Sequence, residues 1–233
     1  AACTVDDEPS LPVPTGTNAP TATTQSPVQP WYSVYFMDPD DPAAGSHRGG
    51  PDEYLVTAIQ DARATIDLAV YDFSLWNMRD ALSGAHARGV EVRMVTESDN
   101  LDEPEIEELR QAGIDVLGDR REGLMHNKFV VIDRLEVWTG STNFNIGSFY
   151  QNDNNLIRIR SSRLAEDYTV EFEEMFLTDQ FGPGSPANTP NPTLTVDGTR
   201  LEVYFSPDDG ALPRLLEVVS AANESIYFLS YSF

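Results

Sequence analysis

The stretch His126-Asn127-Lys128-Phe129-Val130-Val131-Ile132-Asp133, followed six residues later by Gly140-Ser141-Thr142-Asn143, decides how this chain is read. In an extended strand alternate side chains share a face, so His126 and Lys128 project together. An imidazole titrates near neutral pH and can attack or carry a proton, and an ammonium can hold non-bridging phosphate oxygens. Asp133 lies an odd number of positions from both. It falls on the opposite face with Phe129 and Val131, as a structural partner for backbone or for Arg134. Ser141 and Asn143 stand two apart across a tight connection and can bring a hydroxyl and an amide to the same phosphate.

Lys128 is the only lysine among the 15 basic residues of the chain. A general bias toward arginine does not explain why this position escapes it, and the site calls for a compact ammonium rather than a planar fork.

Outward from the motif, strands and helices alternate. Strands are expected at 33–37, 66–71, 90–95, 114–117 and 156–160, with a hairpin formed by 128–133 and 136–139. Helices are expected from Pro51, with Leu55, Ile59 and Ala62 as apolar stripe, and at 75–88, 104–112 and 164–177. Gly89 and Gly113 stand where left-handed caps end the second and third helices. The sum is an α/β layered domain over 31–181. The Gly/Pro-rich stretch from 182 reads as a linker reaching to 198. After it the opening repeats. Val34-Tyr35-Phe36 before Pro39-Asp40-Asp41 matches Val203-Tyr204-Phe205 before Pro207-Asp208-Asp209, and 62–73 matches 222–233. The first copy carries an insertion around 43–50. Residues 199–233 are therefore expected to be the truncated start of a second lobe.

The pattern H-x-K-x4-D-x6-G-S-x-N stands here without a gap and resembles the signature of the phospholipase D superfamily. The resemblance extends over most of 31–181, including Ala69-Val-Tyr-Asp-Phe-Ser74 before the motif and Glu171-Phe-Glu-Glu-Met-Phe176 after it. It implies an α/β/α sandwich with a mixed, mostly parallel central sheet, as the first lobe of a two-lobed protein. It also implies phosphodiester hydrolysis in which His126 attacks phosphorus and forms a covalent phosphohistidine. A histidine of a second lobe, internal or from a dimer partner, protonates the leaving oxygen. Lys128 and Asn143 stabilise charge in the transition state, and Ser141 and Asp133 complete the catalytic set. No metal and no cofactor are implied. The chain departs from the family pattern where a carboxylate often orients the imidazole, because Asn154 stands in that register with Asp153 beside it. Arg120 and Arg121, just ahead of the motif, read first as a solvated turn, with Arg121 as the candidate substrate contact. Arg158, Arg160 and Arg163 are expected to be neutralised by the acidic helix that follows them.

A formal net charge of −23 argues against a broad grip on a polyanion. The favoured substrate is therefore a phospholipid headgroup ester; a secreted endonuclease and a catalytically impaired binding protein are the alternatives. Cys3, the only cysteine, excludes an internal disulfide. Ala1-Ala2-Cys3 resembles the end of a bacterial lipobox, and 4–30 is rich in Pro, Thr and Ser with no apolar period. These features lead to the expectation of a lipid-tethered or secreted, extracytoplasmic protein.

Overall fold

The computed structural model describes residues 30–228. Cys3, the tether at 1–29 and the end of the repeat at 229–233 lie outside the described residues. The chain opens with β1 (Tyr32–Phe36), α1 (Asp52–Asp61), β2 (Thr65–Val70), α2 (Trp76–Ala87), β3 (Glu91–Thr96), α3 (Pro104–Gln111) and β4 (Asp115–Gly118). It continues through β5 (Lys128–Ile132), β6 (Glu136–Gly140), α4 (Ile146–Tyr150), β7 (Asn155–Arg160) and α5 (Ser162–Thr178). A hairpin of β8 (Thr193–Val196) and β9 (Thr199–Glu202) and the helix α6 (Ala211–Ala221) close it.

Seven strands form one sheet in the order β1-β7-β6-β5-β2-β3-β4. Five run one way, and β5 and β7 run against them, so the sheet is mixed and mostly parallel in direction, as expected. The short connection after Ile132 nevertheless interleaves opposed strands. Neighbouring pairs are antiparallel from β1 to β2 across β7, β6 and β5, and parallel only for β2–β3 and β3–β4.

The period-two alternation of β2 and β5 divides the core into two layers. Ile66, Leu68, Val70, Val130 and Ile132 face α1–α3, against Leu55, Ile59, Met78, Leu82 and Ile106. Ala69, Phe129 and Val131 face α5, against Leu164, Ala165, Phe172 and Met175. Glycine ends α2 and α3 as the spacing predicts, with Gly89 at φ 93° and Gly113 at φ 92°. Asp67 and Arg93, opposite each other on β2 and β3, form a buried bidentate pair beneath α5, with N–O distances of 2.7 and 2.9 Å.

Several expectations are corrected. Helix α4 was not foreseen: its five residues are too few to show a period, and it starts because Asn145 Oδ1 accepts from Ser148 N at 2.7 Å. The stretch 182–198 is irregular only to Pro192, since β8 lies within it. Val203-Tyr204-Phe205, expected to open a second lobe as a strand, lies in no sheet. Val203 and Phe205 bury themselves, with Leu194, in the core under α5. An alternating apolar triplet buries against whatever face is open, and here that face is α5. Arg158 is neutralised, but by Glu136 of β6 at 2.6 Å rather than by the acidic helix. Arg163 donates to Asn191, and its charge also acts on Asp167 of α5, as expected.

Asp133 takes the structural, backbone-pairing role that its odd spacing predicts and leaves the catalytic set that the resemblance implies. It stands beyond Ile132, at the end of β5 remote from His126, and its carboxylate accepts from the backbone N–H groups of Arg63, Ala64 and Thr65 at 2.7–3.1 Å. Arg134 pairs with Glu173, not with Asp133. The carboxylate therefore ties the α1–β2 connection to the β5–β6 turn. Asp133→Ala is expected to lower unfolding free energy by about 2–3 kcal/mol in urea titrations. Activity per folded molecule should be unchanged; a specific loss of turnover at full stability would contradict the structural role.

Candidate active site

The register of β5 against β2 builds the site. Val70 pairs with Lys128, and Tyr71 N donates to Asn127 O at 2.9 Å, so Tyr71 stands beside the residues flanking Asn127. The His126 ring meets the Tyr71 ring edge-on at 4.9 Å between centroids, and Lys128 Nζ lies 5.3 Å from the same ring centre. Lys128 Nζ also donates to the His126 carbonyl oxygen at 3.0 Å. The imidazole and the chain's one ammonium thus emerge together on one aromatic platform, as the motif predicts.

The main chain ahead of His126 is held from below. Glu97, just past β3 and buried, accepts from Met125 N through Oε2 at 2.7 Å. Asp119, also buried, accepts from Ser98 N at 3.0 Å. Thr139 Oγ1 donates to Lys128 O at 3.0 Å and locks β6 to the start of β5.

The glycine of the second motif half has a packing reason. A Cβ on Gly140 would collide with the carbonyl oxygen of Asn155 on β7, so only glycine lets the two strands approach there. Ser141 follows, and its hydroxyl is fully engaged. It donates to Asn154 Oδ1 at 2.9 Å and accepts from Asn155 N and Nδ2 at 3.1 and 3.2 Å. Ser141 therefore joins β6 to the start of β7 rather than offering a free hydroxyl. Asn154 spends its amide on Ser141 and on Ser148 O, at 3.1 Å, and makes no contact with His126 among the described residues. Its expected role beside the imidazole is replaced by this structural one, and the neighbouring Asp153 is exposed.

Asn143 is different. It is half-buried, and its Oδ1 is buried without a partner among the described residues. Its neighbour Phe144 bridges to Phe73 and donates from N to Asp72 O at 3.1 Å, which brings Asn143 to the end of β2. Asp72 in turn accepts from Asn145 Nδ2.

Arg121 lines the same cleft as His126, but its guanidinium is committed. It donates to Asp179 Oδ1 and O at 3.1 and 2.6 Å and lies 4.5 Å over the Phe181 ring. It shapes the wall and does not present a free phosphate fork, which corrects its expected role. The cleft, of about 460 Å³, has Leu124, Met125, Met175, Phe181 and Pro207 as apolar walls and Glu171 as a buried acid. Burial, then the carboxylates of Asp208, Glu174 and Asp209, push the Glu171 carboxyl up to about 8. Tyr71, Asp72, Glu97 and Glu171 were not singled out from sequence. Tyr71 and Asp72 lay in the quoted stretch ahead of the motif, and only strand pairing shows what they touch.

Burial, and secondarily the Lys128 cation, hold the His126 imidazole below its usual range. Burial also pushes the Lys128 ammonium down to about 8, against an upward pull from Asp72. A neutral nucleophile and a charged lysine thus coexist around neutral pH.

The family described as "Cardiolipin synthase, PLD-like domain" matches residues 55–176. "Mitochondrial cardiolipin hydrolase" of Homo sapiens is 35% identical over 131 residues, covering 55% of this chain and 51% of that protein. "Phospholipase D" of Rickettsia prowazekii is 37% identical over 121 residues, covering 51% and 59%. The chain thus spans between half and three-fifths of the length of these relatives. Among solved structures, the phospholipase D family member Nuc from Salmonella typhimurium aligns with a TM-score of 0.55 at 23% identity, over 63% of this chain and 93% of that one. NucT from Helicobacter pylori aligns at 0.52 and 19%, over 63% and 95%. These two likenesses establish the fold.

The electrostatic coupling can be read directly. In an NMR titration His126 should lose its proton below about 6.5, the ordinary histidine value. Lys128→Met should move that midpoint upward, because removing a neighbouring cation favours the imidazolium. An unchanged or lowered midpoint would mean that the two groups do not sense each other.

Proposed function

The chain belongs to the phospholipase D superfamily, and from that premise we propose that it is a phosphodiester hydrolase working through His126, with phospholipid headgroup esters as substrate. One observation carries the reading: the imidazole and the only lysine share the Tyr71 platform, and His126 lines a cleft with apolar walls. In the proposed reaction a nitrogen of His126 forms a bond to phosphorus as the bond from phosphorus to the leaving oxygen breaks. A histidine of a second lobe supplies the proton that the leaving alcohol takes away. Water, deprotonated by that second histidine, then displaces His126 from phosphorus and restores the imidazole. Lys128 and the Nδ2 donor of Asn143 stabilise charge on the phosphoryl oxygens while both bonds are partial.

The preference for a lipid diester is supported by the apolar cleft walls and by the net charge of −23. It is also supported by the relatives named phospholipase D and cardiolipin hydrolase. A partner lobe is supported by α6, whose Leu212, Leu215, Leu216 and Val218 are all exposed on one short helix. Lipid attachment at Cys3, and with it an extracytoplasmic site at a membrane, rests on Ala1-Ala2-Cys3 alone.

The full-length protein, assayed on diacyl phospholipid vesicles and on single-stranded oligonucleotides, separates the substrate classes. Headgroup release should exceed nucleic-acid cleavage, His126→Ala should lower turnover at least about 10³-fold, and Lys128→Met about 10²-fold or more. The alkaline limb of the pH profile should fall near 8, where Lys128 loses its proton. Equal turnover by wild type and His126→Ala would end the proposal, and preferential cleavage of oligonucleotides would replace its substrate.

A further inference from the structure

A second cavity, of about 290 Å³, lies apart from the His126 cleft. It opens at the end of β1, and the strand directions put that end on the same sheet edge as Lys128. Three strand spacings separate β5 from β1, about 14 Å. A small headgroup held at Lys128 therefore does not reach it.

The walls are aromatic and acidic. Tyr35, Phe36 and Tyr54 form one side and Phe149 and Tyr150 another. Tyr35 and Tyr54 stack at 4.6 Å, while Tyr54 remains 57% exposed and keeps ring surface open to solvent. Asp38 and Asp41 stand at the rim. Each accepts a turn N–H through Oδ1, from Asp40 and Ala43 respectively, and neither makes an ion pair among the described residues. Arg48 is the cation of this wall, and its guanidinium is laid over Trp76 at 5.1 Å.

The floor is fixed in place. Tyr150 Oη donates to the buried Asp52 Oδ1 at 2.6 Å, and Asn77 Nδ2 donates to Asp52 Oδ2 at 2.6 Å. A Cβ on Gly50 would lie 2.7 Å from a Tyr150 ring carbon, so glycine is required for the loop to close over that ring. The loop is the insertion around 43–50 that the repeated segment after Val203 does without. It supplies Ala43, Ala44, Arg48, Gly49 and Gly50 to the wall.

We propose that this cavity binds an alkylammonium group, through the face of Tyr54 and the carboxylates of Asp38 and Asp41. Aromatic faces attract cations through their quadrupoles, and quaternary ammonium groups, which carry no N–H to be satisfied, are best served by rings with nearby negative charge. The volume is at the lower end for ligand pockets, about 300 Å³, and suits a small group. That group is either free or the exposed end of a zwitterionic lipid. The site stands independently of the reaction assigned to His126.

The test uses the full chain carrying His126→Ala, so that the catalytic cleft cannot consume the probe. Choline chloride, its neutral carbon isostere 3,3-dimethyl-1-butanol and dodecylphosphocholine micelles are titrated and followed by saturation-transfer NMR. Choline should bind more tightly than the isostere. Tyr54→Ala, at an exposed position, should weaken choline at least about threefold with an unchanged melting temperature. The pair Asp38→Asn and Asp41→Asn keeps the turn acceptors and should weaken it similarly, which decides the matter if Tyr54→Ala is unstable. Binding of free choline identifies a soluble ligand; binding of micelles alone identifies a lipid headgroup. Equal affinity for choline and isostere, indifference to the substitutions, or no binding in either form overturns the proposal.

Discussion

The antiparallel pairing of β5 with β2 constrains everything at the catalytic end of this protein. With Val70 opposite Lys128, the apolar residues of both strands split cleanly between the α1–α3 layer and the α5 layer. A slip by one residue would carry Phe129 and Val131 to the wrong layer and turn Lys128 away from Tyr71. Catalytic geometry is thus secured by core burial. The side chains that would handle phosphate continue the alternation that packs Val130 and Ile132 beneath the helices.

The same arrangement sets the charge states. Lys128 and His126 are close enough for the ammonium to oppose protonation of the imidazole, and both are partly desolvated. In isolation that proximity would be a liability. In the proposed reaction, beside a dianionic transition state, it becomes useful, because the lysine stays charged while the histidine stays neutral, over a window that closes near pH 8. Asp72 moderates the cost by pulling Lys128 back toward the charged form.

The α/β/α layering was legible because period-two and helical patterns are local and the apolar stripes are long. His126, Lys128 and Gly140 were legible because strand spacing and a close strand approach each leave a residue-level trace. The supporting residues were not. Tyr71 and Asp72 enter through a β2–β5 register that no local pattern displays, and Glu97 arrives from the end of β3 to hold Met125 N. Register with the family puts Asn154 beside the imidazole, whereas its amide is consumed by Ser141 and Ser148 O. Val203 and Phe205 show the limit of alternation: it announces a face to be buried and leaves open which surface will cover it.

The central claim is that His126 itself bonds to phosphorus. Rapid acid-free quenching of the full-length protein during turnover of a phosphatidyl diester, followed by peptide mass spectrometry, looks for that bond. The account predicts a phosphoramidate on the peptide containing His126, absent from His126→Ala. Turnover in the wild type with His126 unmodified at every quench time, and a covalent adduct on another residue, would contradict it.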